Sequence, residues 1–227
     1  MKLVVASWNV HRFVGTDGVR DVSRVARIVN ELQAHVVALQ EVDFDAGCDE
    51  PKELLDAVPG YELFAAPILR PDGVRHGNVL LTRLPIERAC RICLDFEKRE
   101  PRTAVDVRLV TGGPPLRVVA THLGLRPGER RFQVKLILNH VAEDESSVTV
   151  LMGDFNEWFL AGRPLRWLNR RFGQTKYVRT WPSFLPMLAL DRVWVHPPTA
   201  LVQYGPFDTP TARQASDHLP VVAELEL

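Results

Sequence analysis

The side chains able to do chemistry in this chain sit where apolar runs stop. Asn9 closes a run that starts at Lys2, and Gln40-Glu41 closes Val36 to Leu39. Thr121-His122 closes a run from Leu116, and Asp154, Asn156 and Glu157 break out around Phe155 directly after Val148 to Gly153. Asp191 opens the run Asp191 to Val195, and Asp217-His218 stands just before Val221 to Leu225. Carboxylate and amide groups at the ends of buried strands are costly to desolvate, so a site there is one reading of the pattern. The other is local: Gly, Asp and Asn form Asx turns, and a lone histidine or strand-end acid is often satisfied where it stands.

The residue types point to one kind of chemistry. A hard cation such as Mg²⁺ takes oxygen ligands, usually one or two protein carboxylates with water and substrate phosphate. Glu41 offers a carboxylate and Asn9 a neutral carbonyl. His122 and His218 are poor ligands for such an ion but good phosphate donors and acid–base groups. Clustered Cys or His of a structural zinc site are missing from this set.

The elements that must position these groups follow from periodicity. Lys2 to Asn9, Val36 to Leu39, Tyr61 to Ala65, Asn78 to Thr82, Val148 to Gly153, Asp191 to Val195 and Val221 to Leu225 read as strands. Thr103 to Val110 and Leu116 to Thr121 read as a hairpin turned by Gly112-Gly113-Pro114-Pro115, and Pro71-Asp72-Gly73 as another turn. Val22, Val25, Ala26, Val29 and Leu32 recur at helical spacing, as do Phe132, Leu136, Ile137 and Val141 within Glu129 to Ala142. Shorter helices are expected at Lys52 to Val58 and Pro164 to Phe172, and Gly15 to Gly18 reads as a loop. Strands outnumber helices and several run as hairpins, so two packed sheets with helices outside suit the pattern better than a simple alternating chain.

With 227 residues, no internal repeat and no linker, residues 1–227 read as a single domain. Hydrophobic residues at 46% and charged residues at 25% are ordinary for a soluble protein. The formal net charge is zero, which excludes a wholly basic nucleic-acid binder. No run approaches the roughly 18–20 apolar residues of a spanning helix. The start MKLVVASWNV alternates like a strand and lacks a signal peptide's length, so a cytoplasmic protein is expected. Three cysteines, Cys48, Cys90 and Cys93, give no disulfide framework. Cys90 and Cys93 have CxxC spacing between strand-like segments, without a second ligand pair, and read as free structural thiols.

In order, Ser7-Trp8-Asn9-Val10, Leu39-Gln40-Glu41-Val42, Gly77-Asn78-Val79-Leu80, Glu100-Pro101-Arg102, Thr121-His122-Leu123, Gly153-Asp154-Phe155-Asn156, Asp191-Arg192-Val193 and Ser216-Asp217-His218-Leu219-Pro220 resemble the signature blocks of the endonuclease/exonuclease/phosphatase, or DNase I-like, superfamily. They span residues 7 to 220, and their joint order is far more specific than any single block. The resemblance implies a four-layer α/β sandwich of two packed, mostly antiparallel mixed sheets flanked by helices. It also implies a phosphoester hydrolase dependent on Mg²⁺ or Mn²⁺. By position, Glu41 is then the metal carboxylate and Asn9 helps hold the metal site. Asp154 orients or deprotonates the attacking water, with Asn156 beside it on phosphate. His218 contacts phosphate or acts as base, and Asp217 completes that pair or a second metal position. His122 faces the phosphate and leaving group, Asp191 is a further acid near the metal, and Arg102 binds substrate phosphate, with Arg99 a nearby competitor. One-step in-line attack of an activated water is expected, since no GxSxG elbow argues for a covalent intermediate.

The substrate is less defined. Trp158 to Leu190 holds no Asp or Glu but carries Arg163, Arg166, Arg170, Arg171, Lys176 and Arg179, interleaved with Trp158, Phe159, Trp167, Phe172, Trp181 and Phe184. Such a lobe either tracks a nucleic-acid strand or sits against anionic lipid at the headgroup level, unless its aromatics are core and its arginines a solvated face. The expectation is a phospholipid headgroup or other small phosphodiester as substrate, with peripheral membrane contact through 158–190 and no obligate protein partner. The alternatives are a DNA or RNA nuclease and, from a different class, a catalytically inactive binding module, which the presence of Glu41, Asp154, Asp217 and His218 argues against. A zinc-binding regulator using Cys90 and Cys93 is the last of them.

Overall fold

The computed structural model describes residues 1–44, 51–69, 75–142 and 147–227. Cys48 and the turn expected at Pro71-Asp72-Gly73 lie outside the described residues. Among those residues, one sheet joins β10 (Leu201–Pro206), β11 (Val221–Glu226), β1 (Lys2–Asn9), β2 (Val36–Asp43), β4 (Arg75–Thr82) and β3 (Glu62–Leu69), in that order. The second joins β5 (Ile86–Cys93), β6 (Thr103–Leu109), β7 (Leu116–His122), β8 (Val148–Asp154) and β9 (Asp191–His196). Each sheet holds a parallel pair, β1–β2 and β7–β8, among antiparallel neighbours.

The sheets pack face to face through Val5, Val36, Ala38, Leu80, Val118, Val150, Met152, Val193 and Val221, all fully buried. The outer face of the first sheet is covered by α1 (Val22–Glu31), α2 (Lys52–Ala57) and α5 (Pro210–Ala215). The second is covered by α3 (Pro127–Val141) and α4 (Arg163–Phe172). This is the four-layer α/β sandwich expected. Burial on both faces explains why β8 reads as a near-continuous apolar run, and β7 is buried at every position, its Arg117 paired with Asp106.

The α1 stripe is buried as its spacing requires, and the Asp21 carboxylate caps it by accepting from the Arg24 backbone N–H. The α3 face differs from the expected one. Val134, Ile137 and Val141 are buried, but Phe132 is exposed and rests on the Phe96 ring at 5.2 Å. Polar Glu129, Arg130 and Gln133 are buried instead, because they bond the loops that border the site.

Cys90 and Cys93 lie within strand β5 rather than between strands, both as free thiols. Three residues apart on a strand, their side chains leave opposite faces, so they do not converge on one ion. No helix among the described residues is long and apolar enough to cross a membrane.

Candidate active site

Strand register assembles the site. His122 on β7 lies opposite Asp154 on β8, and Asp154 lies opposite Asp191 on β9. Residues in register across neighbouring strands project to the same face, so these three form a row at one sheet edge. In the other sheet Asn9 pairs with Gln40 across the parallel β1–β2 ladder, which brings Glu41 to the same edge. The β2–β4 register slips between Leu39 and Val42, and Glu41 sits in that irregularity at φ +56°. Such a bulge turns Glu41 out of the alternation and toward the gap between the sheets. Gly153 lets β7 and β8 close up: its φ is +145°, and a Cβ there would lie 1.9 Å from the Thr121 carbonyl oxygen.

Asp154 is the hub. Its Oδ2 accepts from Asn9 Nδ2 at 3.1 Å, and its Oδ1 accepts from the Asn156 backbone N–H at 2.9 Å. The same Asn9 amide donates to Glu41 Oε1 at 3.1 Å, so one NH₂ group joins two carboxylates. Asn9 Oδ1 is turned the other way and accepts from the His11 backbone N–H. The Asp154 carboxylate is 3.5 Å from His122 Nε2 and 3.8 Å from His218 Nε2. Behind His218, its Nδ1 is 2.8 Å from Asp191 Oδ2, which also accepts from the Thr180 hydroxyl at 2.5 Å. Asn156, in the left-handed region at φ +50°, donates to the Leu123 carbonyl and packs its amide 2.9 Å from His122 Nε2.

The two histidines are held in opposite charge states. Burial pushes His122 well below its ordinary value, and the charges of Arg102, His218 and His76 push the same way. His122 is therefore a neutral imidazole, with Nδ1 3.1 Å from Arg102 Nη1. Burial alone would lower His218 too, but the Asp191 and Asp154 carboxylates hold it up to about 10, an imidazolium at neutral pH. Asp154 is pushed up to about 6, chiefly by burial and further by Asp191, against the pull of His218. A carboxylate near neutrality beside an imidazolium is an arrangement suited to proton transfer.

The cleft above this floor has a volume of about 240 Å³. Of the residues expected at the site, Asn9, Glu41, Arg102, His122, Asp154, Asn156 and His218 line it. Asp191 stands behind the wall, fully buried, and reaches the cleft only through His218. Asp217 is not brought in: half-exposed on the rim, it accepts from Trp181 Nε1 at 3.2 Å and lies 3.8 Å from His11 Nδ1. Glu157 also departs from the cluster read around Phe155. It is buried against Arg130 at 3.1 Å. Arg99 does not line the cleft, whereas Arg102 does.

Sequence reasoning missed Arg12, His76, Glu100 and Leu125 in the lining. Glu100 had a signal, since it opens the Glu100-Pro101-Arg102 block and accepts from Arg102 Nη2 at 2.8 Å. Arg12 and His76 had none: Arg12 is aimed by a short turn, His11–Phe13, whose three residues all have positive φ. Asn78, from a signature block, instead ties the sheets together by donating to the Thr103 carbonyl at 2.7 Å.

The donor set suits a hard divalent cation. Glu41 opens to the cleft with 27% of its side chain exposed, next to the Asp154 carboxylate, a pair of oxygen donors of the kind Mg²⁺ or Mn²⁺ takes; the Asn9 NH₂ orients both rather than offering an oxygen. Asp154, Asp191 and His218 also cluster within 4.8 Å of one another, and Asp191 Oδ1 is buried without a hydrogen-bond partner among the described residues. The imidazolium charge of His218 already occupies that second corner, so Glu41 with Asp154 is the better seat for an ion.

A four-layer α/β sandwich with carboxylates and histidines gathered at one sheet edge defines a class of hydrolases that act on phosphoester bonds and generally use a divalent metal. The chain belongs to the Endonuclease/Exonuclease/phosphatase family, whose sequence model it matches over residues 6–218. It is 31% identical over 223 residues to Uncharacterized protein YbhP of Escherichia coli K12, covering 93% of this chain and 87% of that protein. Among solved structures it resembles an endonuclease/exonuclease/phosphatase from Beutenbergia cavernae DSM 12333, at 25% identity and a TM-score of 0.77, over 100% of this chain and 72% of that one. The mannosyl-6-phosphatase Bt3783 of Bacteroides thetaiotaomicron VPI-5482 shares the fold at 19% identity, a TM-score of 0.79 and coverage of 99% and 100%. Truncated TDP2 of Caenorhabditis elegans does so at 19% identity, a TM-score of 0.73 and coverage of 100% and 98%.

Proposed function

We propose that this protein is a phosphodiesterase that uses Mg²⁺ or Mn²⁺ to hydrolyse a phospholipid headgroup or another small phosphodiester by in-line attack of water. The observation that carries the reading is Asp154, buried at the cleft floor between the Asn9 amide and the two histidines. Glu41 and Asp154, oriented by the Asn9 amide, would hold the cation, which when bound would supply positive charge against that of the phosphate. Asp154 takes the proton of the attacking water, a task matched to a carboxylate pushed up to about 6. His218, kept as an imidazolium by Asp191, donates to phosphate. Arg102 adds a fixed charge at the wall, where Glu100 and His122 orient its guanidinium. Neutral His122 and the Asn156 amide hold the phosphate side of the floor in place. Asp191 acts through His218 and is a positioning residue. A cleft of about 240 Å³ takes a single phosphoester and its nearest substituents, which favours a small headgroup over a duplex.

The test is Mg²⁺- and Mn²⁺-dependent turnover on a matched panel of phospholipid and sphingomyelin vesicles, inositol phosphates, a chromogenic phosphodiester, single-stranded and supercoiled DNA, and RNA. Hydrolysis of lipid or small diesters with intact nucleic acids is the expected result. Cleavage of DNA or RNA alone replaces this reading with a nuclease.

A further inference from the structure

Beside the catalytic cleft lies a second, larger cavity of about 680 Å³. Leu125 lines both, so the two are neighbours across one side chain. Its walls come from the turn into α3 and from the segment that follows Asp154 and Asn156. Large apolar side chains stand open to solvent there: Leu125 is 68% exposed, Trp158 60% and Phe159 57%, with Leu160 next along. Exposed groups of this size, gathered at one place, mark a surface that meets something apolar. A further exposed trio, Phe184, Leu185 and Met187, is carried on a loop anchored where the Ser183 backbone N–H donates to the Asp217 carbonyl, next to His218.

The charge around this apolar rim has one sign. Arg126, Arg131, Arg163 and Arg166 line the cavity, are exposed, and have no carboxylate partner among the described residues. The acid in the cavity wall, Glu157, is buried and already taken by Arg130. An anionic partner therefore finds unspent positive charge beside apolar side chains.

We propose that this rim seats the enzyme on an anionic phospholipid bilayer, with Trp158, Phe159 and Leu125 entering the headgroup–acyl boundary, the arginines on lipid phosphates, and the catalytic cleft opening at the membrane surface. The inference rests on the lipid-headgroup reading of the site and specifies how substrate is presented. Leucines cannot stack on bases, but they gain by leaving water for hydrocarbon. The Trp158 and Phe159 rings meet at 66° with centroids 6.5 Å apart, edge to face, so they form no shared platform for successive bases. Indole with arginine is the composition that anchors proteins at headgroup level.

The experiment is co-sedimentation of the full chain with vesicles in the presence of a chelator, so that turnover plays no part. Phosphatidylcholine vesicles are compared with vesicles in which about one lipid in three is phosphatidylglycerol. The expected result is at least about tenfold tighter binding to the anionic vesicles, weakened by salt. Trp158→Ser with Phe159→Ser, and separately Arg163→Glu with Arg166→Glu, each lose at least about tenfold while keeping the wild-type far-ultraviolet circular dichroism. Absent vesicle binding, binding untouched by either pair, or tight binding to an oligothymidylate strand that the same pairs abolish would each overturn the proposal. Failure of the hydrolytic reading shows separately, as no metal-dependent turnover of either lipid or soluble diester.

Discussion

Asp191→Asn isolates the electrostatic core of the site. Asp191 is fully buried, with Oδ2 2.8 Å from His218 Nδ1 and a hydrogen bond from Thr180 on the same oxygen. The change keeps the size and an acceptor oxygen but removes the charge. Raising His218 from 6.5 to about 10 corresponds to roughly 5 kcal/mol. Asp191 is the leading upward influence, ahead of Asp154 at 3.8 Å, so at least about half of that is lost with it. The His218 midpoint then falls to about 8 or below. The sign follows from the charge: the imidazolium loses its nearest counter-charge, so it gives up its proton at lower pH. The assay is a ¹³C-detected histidine titration in metal-free buffer. At pH 9 the variant holds the ring largely neutral while the wild type keeps it charged, and kcat/KM drops by at least about 10-fold as one charge-assisted phosphate contact weakens. A wild-type His218 that titrates near 6.5, or a midpoint unmoved by the substitution, would refute the reasoning.

Further expectations follow from the same geometry. Glu41→Gln leaves the fold intact and raises the Mg²⁺ concentration for half-maximal activity by at least about tenfold, read from metal titrations of the rate; an unchanged requirement places the ion elsewhere. Activity is lost as pH falls through about 6, where Asp154 takes its proton, and again as pH rises through about 10, where His218 gives its proton up. More Mg²⁺ shifts the acid limb to lower pH, since a cation favours the carboxylate; a rate that climbs below pH 6 contradicts the role of base. Gly153→Ala costs about 2–4 kcal/mol by forcing a methyl against the Thr121 carbonyl, measured as a drop in urea midpoint; an unchanged midpoint contradicts the close approach.

Much of the fold was legible because buried strands announce themselves. β8 is a near-continuous apolar run up to Asp154, β7 is apolar but for Arg117 until Thr121-His122, and the helical stripe of α1 is unambiguous. The site was legible for a topological reason. Parallel pairing puts the ends of β1 and β2, and of β7 and β8, at common edges, so Asn9, Glu41, His122 and Asp154 converge wherever their strands do. The strands β5 and β10 escaped notice because their patterns are broken: IERACRIC carries charge at three of its eight positions, and LVQYGP ends in Gly and Pro. Helix α5 is six residues long, too short for periodicity to register. Within the site, local sequence does not say which way a loop side chain turns. Glu157 is three residues from Asp154 yet faces Arg130, a partner on α3. Asp217 is next to His218 yet is held on the rim by the Trp181 indole. Arg12 enters the cleft through a left-handed turn that no residue type there signals.

The role of Asp154 is tested most sharply by turnover of a soluble chromogenic phosphodiester with saturating Mg²⁺ or Mn²⁺, wild type against Asp154→Asn. Metal-dependent hydrolysis by the wild type, abolished by chelator, is expected, with a loss of at least about a thousandfold in kcat in a variant with an unchanged melting temperature. Comparable rates in the two proteins, or wild-type turnover that survives chelation, would contradict it.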